Sequence, residues 1–206
     1  AVEPGGIALS NDGDVYISDE GLCRIRRVRD GIIETVAGNG TCGAGEEGQP
    51  ALSSAIYPGH VAYDSYNDRV YFAEPRHHRI RYLDLEAGTL HTLIGTGLRN
   101  NPVEGLPLDE TNLCAPSNLA TVRSSYFLYF TSGGPEEVGC HGGVWQLRVR
   151  QPLEEGNLRR LAGTSGCEPM VEGPSRESPV CPTGLRGIIQ NVERLFIVDD
   201  GVDGGG

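Results

Sequence analysis

Prolines at positions 4, 58, 116 and 182 open the same succession of short apolar runs, at spacings of 54, 58 and 66 residues. The first unit reads Pro4-Gly5-Gly6-Ile7-Ala8-Leu9, a turn at Asn11-Asp12-Gly13, then Val15–Asp19, Arg24–Val28 and Ile33–Ala37. The second runs Pro58–Asp64, Val70–Glu74, Arg79–Leu83 and Leu90–Ile94, and the third Pro116–Ala120, Phe127–Thr131, Val144–Leu147 and Leu158–Ala162. A fourth begins at Pro182-Thr183-Gly184-Leu185 and continues through Leu195–Asp199. Runs this short, rich in Val, Ile, Leu and aromatic residues and bounded by Gly, Asn, Asp or Pro, read as strands A to D of an antiparallel sheet. No sustained 3.6-residue pattern is present, which excludes a helical solenoid. Repeated four-stranded sheets predict an all-β chain folded as a β-propeller, with blades packed face to face. The units place blade 1 at about 4–40, blade 2 at about 58–97, blade 3 at about 116–164 and a half blade at about 182–200.

Thirty Gly and 13 Pro among 206 residues suit a chain of many turns, and 38% hydrophobic residues suffice for a core. The length fits one domain or part of a larger one. No run approaches the roughly 18 apolar residues of a membrane span. The 28 acids outnumber 17 bases, all of them Arg, for a formal charge of −11. That balance disfavours binding to phosphate backbones, so no nucleic-acid partner is expected.

The Pro-x-Gly-Ile/Val-Ala strand, the Val-Tyr-Ile-x-Asp strand, His78-Arg79-Ile80-Arg81 and the Thr35-Val36-Ala37-Gly38-Asn39-Gly40 close resemble NHL-repeat proteins. The resemblance spans nearly the whole chain and weakens in the third unit, where Gly143-Val144-Trp145-Gln146 replaces the Arg-Ile-Arg run. It implies a ring of five or six blades, so the chain is expected to be an incomplete propeller, an open arc of three blades and a half.

In a propeller blade the B–C and D–A connections share one face and the A–B and C–D turns the other. Cys23, Cys42, Cys114, Cys140, Cys167 and Cys181 all map to the B–C/D–A face. The pairs expected are Cys23–Cys42, Cys114–Cys140 and Cys167–Cys181, although six cysteines admit 15 pairings. Disulfides imply an oxidising compartment, extracellular or in the secretory-pathway lumen. No C-x-x-C pair suggests zinc instead. Asn39-Gly40-Thr41 is a glycosylation acceptor pattern on the same face.

Catalytic candidates are few, and none is assigned. His60 begins a strand A, where the resemblance to peptide-amidating lyases implies a channel metal held by imidazoles from several blades. The equivalent positions are read as Gly6, Asn118 and Gly184, so His60 is a lone metal candidate, and no metal or cofactor is expected. His141 beside Cys140 suggests a nucleophile pair, but adjacent side chains point apart and Cys140 has a disulfide partner in prospect. Asp19, Glu74 and Asp199 recur at the end of strand B, with Ser132 in the third unit, as expected of acceptors for a neighbouring turn's N–H groups. Arg24, Arg26, Arg27, Arg29, Arg79 and Arg81 lie on strands C, expected toward the outside and in cross-strand ion pairs.

The expected function is an extracellular or lumenal protein-interaction scaffold, with binding carried by loops on a rigid frame. The D–A loops at 41–57, 98–115 and 164–181 form the candidate surface. Their acids Glu46, Glu47, Glu104, Asp109, Glu110, Glu168 and Glu172 favour a basic protein or peptide. The alternative is a metal-dependent propeller enzyme, peptide-amidating-lyase-like or lactonase-like, with its site in the central channel.

Overall fold

A computed structural model describes residues 4–121, 126–133, 139–150 and 157–163, together with the backbone of strands at 185–191 and 194–199. Strands β1 (Pro4–Leu9), β2 (Val15–Asp19), β3 (Arg24–Arg29) and β4 (Ile32–Ala37) form one antiparallel sheet in chain order. Strands β5 (Val61–Asp64), β6 (Arg69–Glu74), β7 (Arg79–Asp84) and β8 (Thr89–Ile94) form a second. A third contains β9 (Ser117–Thr121), β10 (Phe127–Ser132), β11 (Gly143–Arg148) and β12 (Leu158–Ala162). Strands β13 (Leu185–Asn191) and β14 (Arg194–Asp199) pair with each other. The first strands adjoin one another in succession, β1 to β5, β5 to β9 and β9 to β13, so the sheets stack around their inner strands. The chain is an incomplete β-propeller.

Side-chain alternation along each strand divides the core into two layers. Tyr16, Ile25 and Ala37 of blade 1 meet Val61, Val70, Phe72, Leu83 and Leu90 of blade 2. From the opposite face of blade 2, Ala62, Tyr71, Ala73 and Ile80 meet Leu119, Leu128, Phe130 and Trp145 of blade 3. Val70 and Phe72 thus point one way from β6, and Tyr71 and Ala73 the other.

Local chemistry fixes the repeat. The turn after β1 closes with Ser10 N–H donating to the Asp14 carbonyl at 2.9 Å, while the Ser10 hydroxyl accepts from Asp14 N–H at 3.0 Å. Each C–D pairing carries a register shift at one place, between Ile25 and Arg26, Ile80 and Arg81, and Val144 and Trp145. A glycine with positive φ follows each fourth strand. At Gly38 a Cβ would lie 2.3 Å from the Cys23 carbonyl, and at Gly95 2.5 Å from that of His78. Only glycine lets the chain leave the blade so close to the B–C corner.

Strand A begins later than the repeat suggests in two blades. β5 opens at Val61 rather than Pro58, and β9 at Ser117 rather than Pro116. Proline supplies no N–H to a ladder, yet Gly59 N–H already reaches the Ala73 carbonyl at 2.8 Å. The segment before β5 therefore lies against β6 without joining the regular pairing.

Candidate functional site

The end of the blades that carries the B–C corners and D–A loops is tied by two disulfides. Cys23–Cys42 joins the B–C corner of blade 1 to its outgoing loop, with Cα atoms 5.2 Å apart. Cys114–Cys140 joins the segment before β9 to the B–C loop of blade 3, at 6.0 Å. Both pairs are those expected from the sequence. Cys167 and Cys181 lie outside the described residues. With Cys140 bridged, no thiol stands beside His141, whose backbone N–H instead donates to Asn101 Oδ1 at 2.8 Å.

In the three four-stranded sheets the last residue of the second strand works as an acceptor; the Asp199 side chain lies outside the described residues. Glu74 is fully buried; its Oε1 accepts Tyr57 N–H at 2.9 Å, and its Oε2 accepts Arg79 Nε at 2.6 Å. Ser132 Oγ accepts Cys114 N–H at 3.2 Å, and Asp19 Oδ1 accepts Leu22 N–H at 3.3 Å. Tyr57 and Cys114 both precede a strand A, so Glu74 and Ser132 hold the incoming loop to the blade it enters. His78 adds a bond to the next blade, its Nδ1 accepting Ala115 N–H at 3.1 Å.

The D–A loops do more than cover one face. The loop at 41–57 wedges between the outer strands of blades 1 and 2. Gly38 N–H and Asn39 N–H donate to the Ala51 and Ser54 carbonyls, at 2.9 and 3.0 Å. On the other side, Gly48 N–H meets the Leu90 carbonyl at 2.8 Å, and Leu90 N–H meets that of Gln49 at 3.1 Å. Glu47 spans the same edge, its carboxylate accepting Thr92 N–H at 2.8 Å and the Thr92 hydroxyl. Burial pushes the Glu47 carboxyl pKa up, but the Thr92 bonds and the Arg81 and Arg79 charges outweigh it, leaving the pKa below the ordinary value. In the next loop Glu104 Oε1 accepts Arg160 N–H at 2.5 Å on the outer strand of blade 3. Glu47 and Glu104 are therefore engaged in joining blades. Glu46, Asp109 and Glu110 are exposed. Glu168 and Glu172 lie outside the described residues. The recurrence of Glu-Gly-x-Pro at 47–50 and 104–107 is the sequence signal that marks the two edge-binding carboxylates.

Among the described residues three of the six strand C arginines make the expected ion pairs, while Arg24 and Arg26 make none and Arg81 departs from the expected outward position. Arg27 pairs with Glu34, Arg29 with Asp14, and Arg79 with Glu74. Arg81 does not face outward; it is fully buried beneath the loop at 41–57, with Nη2 donating to the Glu46 carbonyl at 2.9 Å. Burial lowers its pKa.

On the inner strands, His60 packs over Gly6, where a Cβ would lie 3.1 Å from His60 Cα. Burial lowers the His60 pKa, partly offset by backbone hydrogen bonds at Leu119 and Val61. Register corrects one equivalence: Ser117 lies opposite Thr131 as His60 lies opposite Ala73, and Asn118 is an irregularity with φ of 46°. Ser117 and Thr131 hydroxyls bond at 2.9 Å. Among the described residues no three His, Cys, Asp or Glu side chains converge as metal ligands. His60, Gly6 and Ser117 do not fit an imidazole-held metal, and Gly184 lies outside the described residues.

A cleft of about 440 Å³ opens between blades 1 and 2, lined among the described residues by Pro4, Glu20, Gly21 and Tyr57. Arg76 lies 4.5 Å above the Tyr57 ring, and His77 meets that ring edge-on at 6.4 Å. Of the lining residues only Pro4 belongs to a repeat motif; Glu20, Gly21 and Tyr57 lie in connections between strands.

No protein-family model matches this chain, and no curated protein does. Solved structures do match. One, a structural-genomics protein of unknown function from Bacteroides thetaiotaomicron, aligns with a TM-score of 0.70 at 14% identity, over 96% of this chain and 45% of that one. An auxiliary nutrient binding protein from the same organism aligns at 0.60 and 16% identity, over 94% and 44%. A gluconolactonase from Xanthomonas campestris aligns at 0.52 and 19%, over 79% and 48%. The shared property is the propeller fold. The chain spans less than half the length of each of these structures.

Proposed function

We propose that the chain is part of an NHL-type propeller acting as an extracellular or lumenal scaffold that binds a basic protein or peptide through its loop end. The observation that carries this reading is the pinned loop end itself. Two disulfides fix the loops, and Glu46, Asp109 and Glu110 project from them exposed, with no carboxylate partner among the described residues. Two bridges in one chain fit an oxidising compartment. A net charge of −11 adds long-range attraction for a cation. Glu168 and Glu172 extend the same surface in this reading. Binding is also the role given to one structural neighbour, the nutrient-binding protein.

The enzymatic alternative has a neighbour in the gluconolactonase, but among the described residues His60 belongs to no group of three His, Cys, Asp or Glu side chains that could hold a metal. A channel reaction would depend on groups contributed from elsewhere in the ring.

The test is kinetic. A synthetic peptide of alternating Arg and Ser is passed over the immobilised chain at low and at physiological salt. The variant Glu46→Gln/Asp109→Asn/Glu110→Gln should lose about fivefold in association rate at low salt and little at high salt, because exposed charges act mainly through steering. An unchanged association rate would overturn the reading.

A further inference from the structure

We propose that the outer edge of blade 1, at Arg26 and Thr35, is a docking site for a Glu-Gly loop carried by another blade of the same protein. The three fourth strands occupy one register. Thr35 pairs with Arg26, Thr92 with Arg81 and Arg160 with Trp145, each just past the shared register shift. In blades 2 and 3 the backbone N–H of this residue is bound by a glutamate from the preceding D–A loop, Glu47 at 2.8 Å and Glu104 at 2.5 Å. Each glutamate is followed by a glycine with positive φ, Gly48 and Gly105.

The neighbouring apolar position records whether the loop is present. Two residues before the bound N–H stand Leu90 in blade 2 and Leu158 in blade 3, at 0% and 2% exposure. The same position in blade 1 is Ile33, 44% exposed, beside Ile32 at 69%. Arg26 completes the pattern. Its counterpart Arg81 lies under Glu46 and Glu47, with Nη2 on the Glu46 carbonyl. Arg26 and Arg81 both hold a buried Nε without a hydrogen-bond partner, but among the described residues no loop carbonyl meets Arg26 as that of Glu46 meets Arg81. Blade 1 therefore presents an edge N–H, a hydroxyl, a guanidinium and an uncovered isoleucine, where blade 2 holds a carboxylate and a covering backbone and blade 3 a carboxylate. A glutamate flanked by glycine, in an extended segment, matches all four features. Recognition is edge-strand addition, with the carboxylate setting the register.

The chain's own segment 43–56 supplies the probe. A fluorescent synthetic peptide of that sequence is titrated into the 206-residue protein and followed by anisotropy. Saturable binding is expected, weakened at least tenfold when the peptide carries Glu47→Gln. Thr35→Pro in the protein should weaken it to the same extent; proline is tolerated at an edge-strand position whose N–H points outward. Arg26→Met is a second variant that leaves the strand's backbone intact, and circular dichroism checks that both fold. Absence of saturable binding, or equal affinity for the native protein and both variants, would overturn the proposal. Concentration-dependent dimerisation that Thr35→Pro abolishes, without peptide binding, would assign the edge to a second copy and also overturn it.

Discussion

At the end of the second strand, Glu74 shows how one side chain organises its surroundings. Its carboxylate is wholly buried, and it pairs with Arg79 on one oxygen while binding the backbone of the incoming loop at Tyr57 with the other. Ser132 does the same with a hydroxyl in blade 3, where Gly143 rather than an arginine stands opposite it. His60 illustrates the opposite case, an imidazole whose Nδ1 is buried with no partner among the described residues. Burial holds its pKa below the ordinary value. The unfolded chain therefore binds a proton near pH 6.5 that the folded chain takes up only at lower pH. The associated stability is present above that point and is lost as pH falls through it. Urea midpoints measured from pH 7.5 to 5 should decline more steeply for the native chain than for His60→Gln. Equal slopes would show that His60 titrates alike in both states.

Among the elements, the strands were legible and the loops were not. Alternating Val-Tyr-Phe-Ala at 70–73 announces a strand buried on both faces, and Tyr71 and Phe72 do enter opposite core layers. The cysteine positions gave the two described bridges once the blade frame was assumed. By contrast, nothing in the composition of 41–57 says that it turns back along β8, because the bonds at Gly48, Gln49 and Ala51 are made by backbone. Burial of Arg81 was hidden for the same reason, since its cover is a loop from another blade. The disulfides act on these loops. They close 19 and 26 residues, so each should stabilise by about 3 kcal/mol through the unfolded chain. Cys23→Ala/Cys42→Ala should thus shift the urea midpoint clearly while leaving far-ultraviolet circular dichroism unchanged. A midpoint within error of the native value would mean that backbone bonds at Gly38 and Asn39 alone fix the loop.

Across the whole molecule, each blade face is apolar because a neighbouring blade is meant to cover it. Val61 and Phe72 of blade 2 face blade 1 and are 1% and 0% exposed. Register makes Ile7 and Ile17 their counterparts in blade 1, and there Ile7 is 67% exposed and the adjacent Leu9 63%. A contiguous apolar sheet face of this kind drives association when it is left in water. The purified 206-residue chain should therefore self-associate in sedimentation velocity over the micromolar range. Ile7→Ser/Leu9→Ser should shift it toward monomer without lowering its urea midpoint, since neither side chain is buried in the fold. Val61→Ser should do the reverse, costing about 2 kcal/mol by removing a packed side chain and leaving association intact. A native chain that stays monomeric, or a double variant that associates as strongly as its parent, would show that the open face of blade 1 is not what the molecule uses to assemble.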